Sequence, residues 1–323
     1  MYLVTGCAGF IGFHFCKQLF KANVKVIGID NLNSYYSSKY KQSRLKLLQK
    51  NKNFIFYKFD LNNQSKLKKI FEQNKIKSVI HLAAQPGVIY SYSNPHSYTH
   101  NNVKATIALI DIVKKFKVKK FVFCSSSSVY GDQKKFPIKE TFNRKPINYY
   151  AKTKIECEKI ILKKFNNSKI SVSIIRPFTV YGPYGRPDML ILKILKNNFY
   201  KKNLNIFDFG KHKRDFTYVE DVAKIIFKIS KIFNKKMNIL NICSSNPVSV
   251  NYILEILKNK IKFKTRVFYF PKRKGEMQVT YGSNKNLLKN IKKFKFTSIN
   301  TGLNNTINWF ENFKNKEFLK IHK

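Results

Sequence analysis

Tyr150 and Lys154 stand four apart in Tyr150-Ala151-Lys152-Thr153-Lys154, and four consecutive serines, Ser125 to Ser128, lie upstream. On a helix, positions four apart share a face, so an ammonium can sit beside a phenol. A free tyrosine ionises near pH ~10 and is a poor base at neutrality. A neighbouring cation favours the phenolate, and a serine hydroxyl close by can relay or hold the proton being moved. The set suits removal of a proton from an alcohol while a hydride leaves the same carbon. By itself the spacing also describes an ordinary solvated helix face in a lysine-rich chain. It gains meaning if the chain holds a hydride acceptor.

The amino terminus supplies the elements for one. Tyr2 to Thr5 reads as a short apolar strand, followed by Gly6-Cys7-Ala8-Gly9-Phe10-Ile11-Gly12 and an apolar helix from about Phe10 to Ala22. In that setting Gly6 permits the tight turn, Gly9 lets backbone approach a pyrophosphate, and Gly12 allows close packing of helix on strand. The helix amino terminus then faces the phosphates. The spacing is Gly-x-x-Gly-x-x-Gly, a departure from the Gly-x-Gly-x-x-Gly fingerprint. A second strand, Val24 to Ile29, ends in Asp30. An acid there binds both ribose hydroxyls and repels a 2′-phosphate, which favours NAD over NADP. Asp60, after the strand-like Phe54 to Phe59, is a candidate for the adenine side.

Strand-like and helical runs alternate through the first half of the chain. Strands are expected at Ser78–Leu82, Lys120–Cys124 and Ser171–Ile175 besides those above, and helices at Ser65–Gln73, His96–Lys115 and Tyr149–Phe165. This is the pattern of an α/β fold with a doubly wound, parallel, Rossmann-type sheet. Gly6, Asp30, Asp60, Ala83–Ala84 and Ser125–Ser128 all fall at expected carboxyl ends of strands, where such sheets bind ligands. After Arg176 the alternation fails. Helices are expected at about Met189–Asn198 and Val219–Phe233, a strand at Met237–Cys243 that rejoins the sheet, and an amphipathic tail at Thr306–Phe313. The expected organisation is a nucleotide-binding domain of residues 1–175 plus about 215–243. A smaller carboxyl-terminal α/β substrate domain takes about 176–214 plus 244–323.

Composition narrows the classes. The 323 residues are 43% hydrophobic, which suits a globular protein. No apolar run reaches membrane-spanning length, and the apolar first twenty residues lack a basic leader, so neither membrane insertion nor a signal peptide is expected. Cys7, Cys16, Cys124, Cys157 and Cys243 are scattered without a Cys-x-x-Cys. That fits a reducing cytoplasm and argues against a disulfide framework or a zinc site. The net charge of +46 raises nucleic acid as a partner, but only seven of the 63 basic residues are arginine and the lysines are spread throughout. With no recognisable nucleic-acid motif, a global composition bias explains the charge better, and no specific nucleic-acid partner is expected. Arginine supplies a planar, bidentate donor. Arg176, Arg186, Arg214 and Arg273 stand in motif-like settings, the last in Lys272-Arg273-Lys274-Gly275-Glu276.

With these residues in view, the chain resembles extended short-chain dehydrogenase/reductases acting on nucleotide sugars, and within them the UDP-glucuronate 4-epimerases. The matching stretches are Thr5 to Gly12, Gly28 to Tyr36, His81 to Val88, Ser125 to Gly131, Tyr150 with Lys154, Phe178 to Pro183, Gly185-Arg186-Pro187-Asp188-Met189 and Arg214 to Tyr218. The resemblance implies an enzyme, an isomerase that uses and restores NAD in each cycle of C4 epimerisation through a 4-keto sugar. It implies roles in cell-surface polysaccharide synthesis and a homodimer formed through the helices at His96–Lys115 and Tyr149–Phe165.

The same resemblance implies that Tyr150 is the base, that Lys154 holds the nicotinamide ribose and that Ser126 relays the proton. The cofactor would contact Gly6, Gly9, Phe10, Ile11, Gly12, Asp30, Asn31, Asp60, Leu61, Leu82, Ala83, Ala84 and Asn102 besides Tyr150 and Lys154. The UDP-sugar would contact Ser126, Ser127, Ser128, Thr179, Arg186, Arg214 and Arg273. Related 4,6-dehydratases carry Thr-Asp-Glu where this chain has Ser126-Ser127-Ser128, so dehydration is disfavoured. His14 and His81 are expected to be structural, and no metal is expected. One position departs: Ile89 stands where the glucuronate enzymes carry arginine. A UDP-glucose-type 4-epimerase therefore remains an alternative, as does, in another class, a non-catalytic NAD-binding or nucleic-acid-binding protein.

Overall fold

The computed structural model describes residues 1–233, 237–273 and 277–313. The first half runs β1 (Tyr2–Thr5), α1 (Phe10–Lys21), β2 (Val26–Asp30), α2 (Ser38–Gln49), β3 (Phe54–Lys58), α3 (Gln64–Gln73) and β4 (Ser78–His81). Two short helices, α4 (Tyr90–Ser93) and α5 (Pro95–Tyr98), lead into a π-helical turn, Thr99–Lys104, and then α6 (Ala105–Lys115), β5 (Lys120–Cys124), α7 (Tyr149–Lys164) and β6 (Ser171–Pro177). The second half comprises β7 (Thr179–Tyr181), α8 (Leu190–Phe199), β8 (Leu204–Phe207), β9 (Lys213–Tyr218), α9 (Val219–Ser230), β10 (Asn238–Ile242) and β11 (Pro247–Ser249). It continues with α10 (Val250–Lys260), β12 (Val267–Phe270), β13 (Val279–Thr280), α11 (Lys285–Ile291) and α12 (Ile299–Phe313).

Seven strands form one parallel sheet in the order β10-β6-β5-β4-β1-β2-β3. The order reverses between β1 and β4, which opens a crevice at their carboxyl ends. Alternate residues of each strand face opposite sides. Leu3, Ile27, Val79, Phe121 and Ile174 pack with Leu67, Leu109 and Ile161 of α3, α6 and α7. Val4, Val26, Ile80, Val122 and Leu240 pack with Phe13, Val222 and Ile226 of α1 and α9. A third core joins α8, α10 and α12 to β8 and β9 through Ile194, Leu257, Leu303, Leu204 and Phe216.

The expected strands and helices of the sheet are present, with edges shifted where caps intervene. β2 begins at Val26 because Asn23 adopts a left-handed φ of 52° and the Val24 N–H turns back to the Leu19 carbonyl at 3.1 Å. The single helix expected over His96–Lys115 is instead interrupted by the π turn. α2 has no counterpart among the expected elements. Its apolar stripe is thin, with Tyr40, Leu45 and Leu48 buried among lysines and serines, so hydrophobic periodicity alone does not reveal it. No described helix is long and apolar enough to cross a membrane.

Candidate active site

A cavity of about 400 Å³ opens at the carboxyl ends of the central strands. Gly6, Gly9, Phe10, Ile11 and Gly12 line one end, with Asp30, Asn31, Asp60, Leu61, Leu82, Ala83 and Ala84 around them. Gly6 has φ +69°, and a Cβ on it would sit 2.7 Å from the Ala83 nitrogen. A Cβ on Gly12 would lie 2.1 Å from the Gly6 carbonyl oxygen, so α1 can start this close to β1 only without a side chain. Gly9 caps α1 with no side-chain hydrogen bond. The first N–H groups of the helix are therefore left for a ligand. Asp30 accepts the Ala8 N–H on Oδ2 at 3.1 Å and the Leu32 N–H on Oδ1 at 2.8 Å. Burial pushes its carboxyl upward against those bonds and against the charges of Lys41 and Arg44. A turn with no room for a Cβ at Gly6 or Gly12, an uncapped helix terminus and a held carboxylate together fit a dinucleotide.

Asp60 accepts from Asn62 N–H (2.9 Å), Asn62 Nδ2 (2.7 Å) and Asn31 Nδ2 (3.2 Å), and pairs with His100 Nε2 at 3.2 Å. Burial raises its carboxyl, but these donors outweigh burial and hold it below the usual range. Asn101, rather than the expected Asn102, is on the cavity wall. Asn102 is buried behind it, accepting the Gln85 N–H at 2.7 Å and donating to Thr153 Oγ1 at 3.0 Å. Asn101 and Asn102 both lie within the π turn, Thr99–Lys104.

Tyr150 and Lys154 meet the cavity from the first turns of α7. The helix begins at Tyr149 because Asn148 caps it, accepting the Ala151 N–H at 2.9 Å. Lys154 is 2% exposed, donates from Nζ to the Cys124 carbonyl at 2.7 Å, and lies 4.9 Å from the Phe123 ring centroid. The Tyr150 ring stands edge-on to Tyr98. Across from them, Ser126 caps a short 3-10 turn, Ser127–Tyr130, with its Oγ accepting the Ser128 N–H at 3.2 Å and donating to Ser128 Oγ at 3.1 Å. Ser125, Ser126, Ser127 and Ser128 all line the cavity. A phenol, an ammonium and four hydroxyls are thus gathered around one space.

The other end is formed by Pro177, Phe178, Thr179, Arg186, Met189, Arg214, Met277 and Thr280. Arg186 donates from Nε and Nη2 to the two oxygens of Asp188, at 3.1 and 2.5 Å, and Tyr35 Oη donates to Asp188 at 3.1 Å. Arg214 Nη1 donates to the carbonyls of Lys213 and Gln278. Next to it Asp215 accepts from Ser244 N–H, Ser244 Oγ, Ser245 N–H and Gly282 N–H, and burial raises its carboxyl to about 6. Arg273 is not among the described residues that line the cavity; its guanidinium stacks 3.3 Å from the Phe207 ring centroid. The rest of its motif, Lys274-Gly275-Glu276, lies outside the described residues. Ile89 is 58% exposed just before α4. His14 and His81 are buried, bonded to the Pro183 carbonyl and to Thr5 and Thr106, and burial lowers both to about 3, so they are neutral.

Sequence reasoning missed Lys41 and Arg44 of α2. Lys41 lines the cavity at 6% exposure, donates to the Asn33 carbonyl at 2.8 Å, and is lowered to about 8 by burial, opposed by Asp30. Arg44 is fully buried and donates to the carbonyls of Ala8, Tyr184 and Gly185 and to Tyr36 Oη. It ties the glycine turn to the loop that carries Arg186. The scarcity of arginine was the signal that would have found it.

The fold and cavity define a dinucleotide-binding oxidoreductase-type site with a Tyr/Lys pair. The chain belongs to the NAD dependent epimerase/dehydratase family, whose model matches residues 2–243. It is 39% identical over 324 residues to a UDP-glucuronate 4-epimerase of Thermodesulfobacterium geofontis, covering 100% of this chain and 99% of that one. Its structure is similar to the UDP-glucuronic acid 4-epimerase from Bacillus cereus solved with UDP-glucuronic acid and NAD, with TM-score 0.91, 30% identity, and coverage of 96% and 99%. It is also similar to a UDP-glucose 4-epimerase from Thermotoga maritima solved with UDP-glucose, with TM-score 0.88, 27% identity, and coverage of 96% and 98%.

Proposed function

We propose that this protein inverts C4 of UDP-glucuronate to give UDP-galacturonate, with NAD held throughout the cycle. The observation that carries the reading is the convergence of Tyr150, Lys154 and an acid-free serine run on one cavity beside the glycine turn. NAD, when bound, accepts a hydride and returns it. Tyr150 takes the proton from the sugar 4-hydroxyl, Lys154 favours the phenolate and holds the nicotinamide ribose, and Ser126 relays the proton. The sugar turns over as a 4-keto species before reduction on its other face. Ser127, Ser128 and Thr179 donate hydroxyls to the C6 carboxylate. That grip matters because a 4-keto uronic acid is a β-keto acid and loses CO2 readily.

Gly6, Gly9 and Gly12 admit the pyrophosphate, Asp30 takes the adenosine ribose, and Asp60 and Asn31 take the adenine side. Arg186 and Arg214 serve the UDP-sugar. Asn102 and Arg273 are better supported as structural residues, from their burial and their stacking. A nucleotide-binding unit of 1–175 with about 215–243 is supported by β10, which pairs in parallel with β6. Homodimerisation through α6 and α7 and a cytoplasmic location complete the reading, the latter supported by five free cysteines.

Incubation with UDP-glucuronate and, separately, UDP-glucose, with products resolved by NMR, tests the reading. Conversion of UDP-glucuronate to UDP-galacturonate is expected, and turnover of the neutral sugar alone would overturn the carboxylate assignment. A UDP-glucose-type epimerase is the second reading, favoured by the uncharged Ile89 at the cavity approach. Release of CO2 would make the protein a decarboxylase.

A further inference from the structure

Beneath the serine run lies a charged cluster that the chemistry above does not use. Glu158 is fully buried, four residues beyond Lys154 and eight beyond Tyr150, so the three side chains share one face of α7. Its Oε1 accepts Ser125 Oγ at 2.5 Å and Arg176 Nε at 2.9 Å. Its Oε2 accepts Arg176 Nη2 at 2.6 Å and Arg144 Nη1 at 3.2 Å. Arg176 also donates from Nη1 to Tyr130 Oη at 2.8 Å, and Tyr130 donates to Asn241 of β10 at 2.6 Å.

Ser125 lines the cavity, Arg176 immediately precedes Pro177 of the lining, and Tyr130 shares the 3-10 turn of Ser127 and Ser128, which also line it. Ser125 follows β5 and precedes Ser126; Arg176 is the penultimate residue of β6 and precedes Pro177–Thr179; Tyr130 closes the 3-10 turn. One carboxylate thus joins the helix carrying Tyr150 and Lys154 to the two strand ends that face them. Short, charge-assisted bonds in a dry interior resist displacement. Burying an ion pair is a poor way to gain stability, and a simple helix–sheet contact needs only apolar side chains.

We propose that Glu158 is a positioning residue for the reaction. Anchored on Ser125 and Arg176, it fixes the rotation and axial setting of α7, and so the place of Tyr150 relative to Ser126 and the sugar. The inference rests on the catalytic reading of Tyr150.

The test compares Glu158→Gln, Ser125→Ala and the double variant with the wild type. Thermal unfolding, NAD affinity, KM and kcat are measured for each. Glu158→Gln keeps the shape and loses the charge. It is expected to bind NAD and substrate within about threefold of wild type while kcat falls at least ~30-fold, since a misplacement of ~1 Å can cost about a hundredfold. Ser125→Ala is expected to lower kcat about fivefold, and the double variant to be no slower than Glu158→Gln, because both act through one contact. A folded Glu158→Gln with kcat within threefold of wild type, or additive losses in the double variant, overturns the proposal. If Glu158→Gln fails to fold, Ser125→Ala decides alone: unchanged kcat refutes it, and a kcat loss at unchanged KM and unfolding temperature supports it. A wild type that turns over no UDP-sugar would instead sink the catalytic reading, while the effect of Glu158→Gln on the Lys154–Cys124 contact stays readable in a crystal structure of the variant.

Discussion

A methyl group added to Gly12 would lie 2.1 Å from a backbone carbonyl, whereas at the far end of the same cavity Arg186 rests on Asp188, a carboxylate 41% exposed. The first end is made of backbone: strand ends, a glycine turn and carboxylates pinned by N–H groups. The second is made of long side chains that currently hold one another. Backbone in a hydrogen-bonded sheet has no alternative setting, so the first end is pre-formed. An arginine–carboxylate pair at a cavity mouth is worth little in water and can exchange partners when an anionic ligand arrives. The difference suits a cofactor that stays and a sugar that enters, turns and leaves.

Tyr150 stands where the two ends meet, and its replacement should have the largest effect. Tyr150→Phe is expected to lower kcat by ~10³-fold, within the range for loss of a general base. NAD affinity should stay within threefold, as read by fluorescence titration. A variant that retains turnover would separate the joint from the chemistry and break the comparison.

Gly12→Ala probes the rigid end. Overpacking against fixed backbone costs about 1–3 kcal/mol, so NAD affinity should fall about tenfold to a hundredfold. Isothermal titration checks this, and unaltered affinity would mean that the turn yields and is not pre-formed.

These two sites were legible because their signal is local. A glycine turn between strand and helix, an acid at the next strand end and a Tyr-x-x-x-Lys are short patterns whose geometry follows from backbone periodicity. The sheet was legible for the same reason, since alternate residues of β1, β4 and β5 are apolar on both faces. What escaped depends on distant segments. Arg44 is needed because Ala8, Tyr184 and Gly185 bring three carbonyls to one point, and no spacing records that. Asn102 lies in a π turn, which leaves no mark in hydrophobic periodicity, and its side chain is buried on Gln85 and Thr153. Acids proved as telling as arginines in this lysine-biased chain: Asp30, Asp60, Glu158, Asp188 and Asp215 each accept several hydrogen bonds.

Lys41 sharpens the contrast because it is a charge at the rigid end. Its folded-state value of about 8, lowered chiefly by burial, lies below the unfolded value. Between those values the folded state binds fewer protons than the unfolded one. Stability of the cofactor-free protein should therefore rise with pH from about 8 to ~10.5, and the cost of burying the ammonium is fully present below pH 8. Lys41→Met is expected to raise the unfolding temperature of the cofactor-free protein at pH 7 by roughly 2–4 °C. It should also weaken NAD binding about tenfold by removing a charged donor. A lower unfolding temperature with unchanged NAD affinity would show that Lys41 serves the fold and not the ligand.

The smallest effect is expected at Ile89, on the adaptable side. The position is exposed and borders Gly87 and Val88, which line the cavity. An arginine there would add a cation near the sugar without displacing any packed atom, and in contact with water such a charge is worth about 0.2–1 kcal/mol. Ile89→Arg should therefore raise the preference for UDP-glucuronate over UDP-glucose only about threefold, seen as a change in the ratio of kcat/KM values, and the gain should shrink as salt is added. A gain of a hundredfold would mean that the side chain at 89 turns inward on binding and that this loop, more than Thr179 and the serine run, reads the carboxylate. No gain at any salt concentration would leave carboxylate selection to Ser127, Ser128 and Thr179, whose hydroxyls need no counter-charge because the uronate enters a protein that is already strongly cationic.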